Sequence, residues 1–461
     1  MAEGQFKAAI PIYQKLVAAV PGNPGLLLNL GLAEEMAGHP AQAIPHFQSV
    51  LRSDPNNVPA LTSLGTCALQ TNQPKLAVPP LEALTKLQPS DLNARGMLAG
   101  AYMALDRPGE AASHYRTLTA AAPSDAKGWY GLGKAYEASA AQVFNRLSKV
   151  AGQSAYIAAL LGDARLQRQQ YRSAFFFYKE AEAKMPGLPG LHSGLAKIYQ
   201  ESGHADWANV EEKRERPAKT CTSQTPECHF LHGDLLRVTR SATATPDSLF
   251  WAVRAYNLLA IRAFDHLSQL PESVELHALR AQMFHGHGQE AEAAAEWKKA
   301  LVLQPGNPRL EGELATALFG AHNYDELTPL LNTLLAREPA AADLNFMMGE
   351  SLWRTQQAEK AEPYLRKALL ADPGMLPAHA ALGMVYGLLN RSAEAVPHLQ
   401  KALSLDDDGS LHYSLARAYQ AAGKAAEAQS AMQEYQQIRQ KNQEINDELA
   451  KQAEIVAPNA R

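Results

Sequence analysis

The chain has 461 residues, of which 46% are apolar, only 7% aromatic and 20% charged, with a formal net charge of −4. A chain this long can bury a large core, but so little aromatic mass among so many alanines and leucines fits an elongated helical stack better than one globule. The near-neutral charge gives no electrostatic support to a nucleic-acid or anionic-membrane role, and no stretch approaches the ~18–20 apolar residues of a membrane-spanning helix.

In chain order, Ala9, Tyr13, Leu16 and Pro21 stand in the register of a second helix that has no first helix before it. Either an unpaired helix caps the end, or the sequence starts inside a longer product whose upstream part carried an export signal. The compartment follows that choice: exported or periplasmic if a signal precedes, cytoplasmic otherwise.

Pro21, Pro55, Pro89 and Pro123 then stand 34 residues apart, and Pro305, Pro339 and Pro373 resume the step. Small residues keep the same period at Gly31, Gly65, Ala99 and Gly133, and again at Ala281, Ala315, Gly349 and Gly383. Twelve residues further stand Ala43, Ala77, Ala111, Ala293, Ala361 and Ala395, each followed four positions on by a residue such as Phe47, Tyr115, Trp297, Leu365 or Leu399. The pattern predicts a helix hairpin. Helix A runs through the small residue, which lets its partner approach closely; a turn follows, often with glycine (Gly38, Gly203, Gly288, Gly423); helix B carries the alanine and the large residue and ends at the proline.

The register slips after Tyr136, along EASAAQVFNRLSKVAGQSAY, before Gly162, Ala174, Tyr178 and Pro186 restore it. A similar stretch returns later, pairing Ala255, Tyr256, Phe264 and Leu267 with Ala135, Tyr136, Phe144 and Leu147, and is read as a duplicated variant unit that bends the stack. Between the copies, RERPAKTCTSQTPECHF is the best linker, followed by a degenerate hairpin, and the ladder resumes near Leu249. Asp406, Asp407 and Asp408 form a polar turn where the next proline was due. From Ala425 a Gln- and Glu-rich helix with Met432, Tyr435, Ile438, Ile445 and Leu449 on one stripe either caps the last repeat or pairs with another chain.

The motif Trp129, Leu132, Gly133, Tyr136 in one unit, and Leu30, Gly31, Ala43, Phe47, Pro55 in another, resembles the tetratricopeptide repeat, as found in multi-repeat bacterial proteins. The resemblance covers nearly the whole chain. It implies an all-α fold, an α-α superhelix: a right-handed solenoid of about 12–13 helix-turn-helix hairpins. The expected layout is an N-terminal array over 1–213, an irregular waist over 214–247, a C-terminal array over 248–424, and a capping helix and tail over 425–461.

Cys67 sits among small residues on a helix A face and reads as a buried, inert thiol. Cys221 and Cys228 flank the waist at a spacing that could close a disulfide in an oxidising compartment and would be free thiols otherwise. His229, His232, His285 and His287 lack the paired ligand spacing of a zinc site, so no metal is expected. No phosphate loop or nucleophile elbow occurs, and the hairpins leave no room for a catalytic fold, so neither enzymatic activity nor a cofactor is expected.

What remains is binding. The resemblance implies that helix A residues facing away from helix B line a groove for a protein or peptide partner. In the C-terminal array these are Asp343, Phe346, Glu350, Trp353 and Arg354 in one unit, and Ser410, Tyr413, Arg417 and Gln420 in a later one. Trp353 is the leading anchor, although it could equally pack against a neighbouring repeat. The basic positions that grip acidic chaperone tails are absent, since only Asn29 fits and Thr62 and Thr66 occupy the next unit. The expected function is a non-enzymatic interaction scaffold; the alternative is a self-associating, homo-oligomeric component of a bacterial envelope or secretion-type assembly.

Overall fold

The computed structural model describes residues 6–215, 224–240, 242–452 and 454–458, and among them every regular element is helical. In chain order these are α1 (Phe6–Ala19), α2 (Pro24–Met36), α3 (Pro40–Ser53), α4 (Val58–Gln70), α5 (Pro74–Leu87), α6 (Leu92–Ala104), α7 (Pro108–Ala121) and α8 (Ala126–Ala151). There follow α9 (Ala155–Gln167), α10 (Tyr171–Lys184), α11 (Leu191–Glu201), α12 (Ala205–Arg214), α13 (Pro226–Leu231), α14 (Leu235–Arg240) and α15 (Pro246–Ser268). The remainder are α16 (Val274–Gly286), α17 (Glu290–Leu303), α18 (Pro308–Gly320), α19 (Tyr324–Arg337), α20 (Ala342–Arg354), α21 (Ala358–Ala371), α22 (Leu376–Leu388), α23 (Ser392–Ala402), α24 (Ser410–Ala421) and α25 (Ala425–Gln452). No described helix is long and apolar enough to cross a membrane.

Each regular hairpin is punctuated by local chemistry. The residue before each ladder proline is driven out of the helical region by the pyrrolidine ring. Asp54, Gln88, Ala122, Gln304, Glu338 and Asp372 accordingly all have φ between −128° and −135°. Two residues after the proline, Asn23, Asn57 and Asp91 cap the next helix A by accepting the N–H of Leu26, Ala60 and Ala94 at 3.0–3.1 Å. Helix A ends on a left-handed residue: Gly38, Asn72 and Asp106 in the first array and Gly288, His322, Gln356 and Asn390 in the second. The next N–H then closes a six-residue loop onto the helix, as Gln73 does onto Ala68 O at 2.7 Å and Arg391 onto Tyr386 O at 2.8 Å. Most of these positions are not glycine; Asn, Asp, His and Gln take the strained φ instead.

The small residues of helix A are small because helix B lies on top of them. A Cβ at Gly31 would stand 2.8 Å from Phe47, at Gly65 2.6 Å from Leu81, at Gly349 2.6 Å from Leu365 and at Gly383 2.7 Å from Leu399. Each partner lies sixteen residues on, at the large position of the same hairpin.

At Gly133 this rule gives way. The residue sixteen on, Lys149, is exposed and belongs to α8 itself, which runs straight on for 26 residues. The slot at Gly133 is filled by Phe264 of α15, whose ring would lie 2.2 Å from an added Cβ. Trp129 against His266 (3.9 Å between ring centroids) and Tyr136 against Tyr256 (6.2 Å) continue an antiparallel α8–α15 pair. The two similar stretches are thus not successive bends of a stack. They are the two partners of one pair, and α15 supplies the helix B that the local sequence withholds from α8.

Two compact units result, each drawn from two segments. One comprises residues 1–160 and 216–271, the other 161–215 and 272–461, with the division falling inside α9. In the first, an unbroken core runs from Leu61, Leu81 and Leu98 to Leu132, Tyr136, Ala260 and Ala263. In the second, α16 to α25 form successive hairpins, and a 3-10 turn at Leu403–Leu405 replaces the ladder proline. There Asp406, nearly buried, accepts the N–H groups of Leu411 (2.9 Å) and His412 (2.8 Å), so this polar turn contains the cap of α24.

Candidate functional site

Helices α20, α22 and α24 present parallel faces with a groove of about 320 Å3 lined by Trp353, Met384, Leu388 and Arg417. Trp353 is half-buried, and the guanidinium of Arg354 lies 4.5 Å from its ring centroid. Arg354 is held there by Glu350, whose Oε1 accepts from Nε at 2.8 Å. Glu350 is itself buried, and burial holds its carboxyl above the usual carboxylate range despite the opposing pull of Arg354. It therefore fixes Arg354 over Trp353.

The other positions named by the sequence fall elsewhere. Asp343 and Phe346 line a separate groove of about 600 Å3 between α18 and α20, together with Arg309, Glu313 and Met347, and Phe346 packs edge-on to Phe319 at 5.8 Å. Tyr413 and Gln420 are exposed on α24 outside both grooves, and Tyr413 lies 5.5 Å from the ring of Tyr435 on α25. The geometry thus brings Trp353 and Arg417 together. It adds Met384 and Leu388, which stand one repeat after Glu350 and Arg354 and which the same register arithmetic would have named.

A second polar system was missed altogether. The sixth residue after a ladder proline donates back to that proline's carbonyl: Arg95 Nη2 to Pro89 O at 3.0 Å, Trp129 Nε1 to Pro123 O at 2.8 Å, Asn345 Nδ2 to Pro339 O at 3.0 Å. His379 Nε2 lies 3.2 Å from Pro373 O in the same register. Histidines at this position also meet helix B nineteen residues on, as His192 with Glu211 (2.6 Å), His277 with Glu296 (2.7 Å) and His379 with His398 (2.7 Å). Chemically diverse side chains do one job here, which is why no single-letter periodicity showed it.

Among the described residues, Glu182, His192 and Glu211 bring ligand-type atoms within 4.8 Å of one another. Their charges are already met, with Arg214 Nη1 3.0 Å from Glu211 and Lys179 paired with Glu182, so the cluster is an ion-pair network. Cys67 is fully buried and free, and burial pushes its thiol up to about 12, far from reactivity. Cys221 lies outside the described residues, while Cys228 is buried near the start of α13.

Tetratricopeptide-repeat profiles match residues 248–374, overlapping windows over 1–139, and residues 376–408 and 409–434. No curated protein matches the chain. Similar solved structures include a MamA protein (17% identity, 37% of this chain and 94% of that one, TM-score 0.32). Another is TTC0263, a thermophilic repeat protein of Thermus thermophilus (21%, 39% and 98%, TM-score 0.31). A tetratricopeptide repeat protein from Parabacteroides merdae spans more of the chain (14%, 69% and 94%, TM-score 0.31). With the proline punctuation, the glycine-to-helix-B slots and profiles covering most of its length, the chain belongs to the tetratricopeptide repeat family.

Proposed function

We propose that the protein is a non-enzymatic interaction scaffold that takes a peptide or partner protein in the groove of α20, α22 and α24. The supporting observation is the convergence of Trp353 and Arg417, from different repeats, on one surface with Met384 and Leu388. An aromatic ring stiffened by a stacked guanidinium offers contact area at little entropic cost, and the neighbouring Arg417 adds directional donors. With Ser392, Asn390 and Ser414 along the same wall, the groove suits a ligand of mixed apolar and polar character.

Panning a displayed random-peptide library on the purified chain tests this. Selected peptides should lose about tenfold or more in affinity on Trp353→Ala and less on Arg417→Ala. If both variants retain every selected peptide at wild-type affinity, the groove assignment is wrong. The self-association reading has its own assay: Ile445 is 43% exposed on α25, and light scattering after size exclusion should show a concentration-dependent mass if this face pairs with a second copy. A strict monomer at high concentration ends that reading.

A further inference from the structure

The last stripe residue of helix A is a tyrosine in five repeats, each standing four residues before the left-handed turn position or on the equivalent turn of α8. In three of them the hydroxyl bonds to helix B of the preceding repeat. Tyr102 donates to Glu82 and Tyr386 to Glu362 (3.4 Å), and Tyr419 accepts from Gln400 (2.7 Å). Tyr199, on α11, finds a different partner. The preceding helix, α10, carries Lys179 twenty residues before it, as Glu82 stands before Tyr102, and Lys179 is engaged with Glu182. The Tyr199 hydroxyl instead donates to the backbone carbonyl of Val456 at 2.8 Å, in the non-helical segment Glu454–Pro458 that follows α25.

The phenol is aimed by its surroundings. Phe175 and Trp207 pack edge-on to its ring at 5.8 and 5.6 Å, and Tyr199 is 1% exposed. Without Val456, a nearly buried hydroxyl would lose the hydrogen-bond acceptor that the structure gives it. In the segment, Ile455 and Pro458 are half-buried while Glu454, Val456 and Ala457 are exposed. Half-burial three residues apart, at Ile455 and Pro458, marks these two as the side chains turned from solvent.

We propose that the α11 surface around Tyr199 is a docking site for an apolar peptide, and that residues 454–458 occupy it in cis. Its partner class is a segment like Glu-Ile-Val-Ala-Pro, read by one backbone hydrogen bond from Tyr199 and by its half-buried Ile and Pro. The tether strengthens so small a contact by keeping the segment at high effective concentration, and an external segment of the same chemistry competes for it. The site shares no residue with the α20–α22–α24 groove.

The test uses a fluorescent synthetic peptide covering residues 453–461 and fluorescence anisotropy. The chain ending at Gln452 should bind it saturably, the intact chain at least about tenfold more weakly, and Ile455→Asp in the intact chain should restore binding by releasing the tethered copy. Tyr199→Phe in the shortened chain, with its helical circular dichroism unchanged, should weaken binding roughly three- to tenfold through the lost donor. Trp353→Ala should leave this binding unaltered, which separates the site from the groove. The proposal is overturned if the shortened chain binds no peptide or binds a scrambled one equally well. Equal binding by intact and shortened chains, or an unaltered affinity in Tyr199→Phe, overturns it too.

Discussion

The α8–α15 pair rests on one steric fact: Gly133 leaves a slot that Phe264 fills from far along the chain, with 2.2 Å between an added Cβ and the ring. Gly133→Ala must therefore push the Phe264 ring out of its seat. Overpacking of this kind costs about 1–3 kcal/mol, equivalent to a 5- to 150-fold loss of local protection. Phe264→Ala removes a half-buried ring and costs about 2 kcal/mol, roughly half the figure for a fully buried phenylalanine. In the double variant the new methyl has room, so the two costs should fail to add by about 1 kcal/mol or more. Lys149→Ala, at the position a regular hairpin would use, is exposed and should cost less than about 0.5 kcal/mol. Native-state hydrogen exchange of α8 and α15 peptides is the assay, because it reads local opening without requiring two-state unfolding of a repeat protein. Additivity within about 0.5 kcal/mol, or a Lys149→Ala effect as large as that of Phe264→Ala, would refute the pairing.

His379 and His398 touch through their Nδ1 atoms at 2.7 Å. Burial holds both imidazoles below their ordinary value, helped by Lys401 at each and opposed at His398 by Glu394. The unfolded chain takes up these protons near pH 6.5 and the folded chain does not, so stability is full above about pH 7 and falls as pH drops below ~6.5. The slope is at most about 1.4 kcal/mol per pH unit for each proton, and urea midpoints at pH 7.5 and 5.5 should show it shrinking in His398→Gln; an unchanged slope counts against the pair. Ala341 starts α20 without the side-chain cap that Asn57 gives α4, so Ala341→Asp should raise the protection of α20 by about 0.5–1 kcal/mol, whereas Asn57→Ala should cost α4 about 1 kcal/mol. Under oxidising conditions, mapping of unreduced peptides should recover Cys221 linked to Cys228 and Cys67 as a thiol that alkylates only after denaturation; a Cys67-containing link would rule this out.

The sequence by itself determined the hairpin, its period and its register, because those rest on residues whose effect is local. Proline bars its predecessor from the helix, Asn57 or Asp91 caps the next helix A, and Gly31 or Gly65 leaves a slot that a residue sixteen on can fill. Of the residues that arithmetic named, Trp353 and Arg417 line one groove, together with Met384 and Leu388 from the repeat it skipped. Glu350 was named for the wall and is instead the buried brace of Arg354, because burial depends on what the next helix covers. Only the tertiary structure decided that α8 takes α15 as its partner, that the two compact units are each assembled from two separate segments, and that Tyr199 finds its acceptor at Val456. A glycine slot specifies the shape of what fills it and carries no record of which chain segment will arrive, so contacts between distant segments stay illegible until the helices are packed.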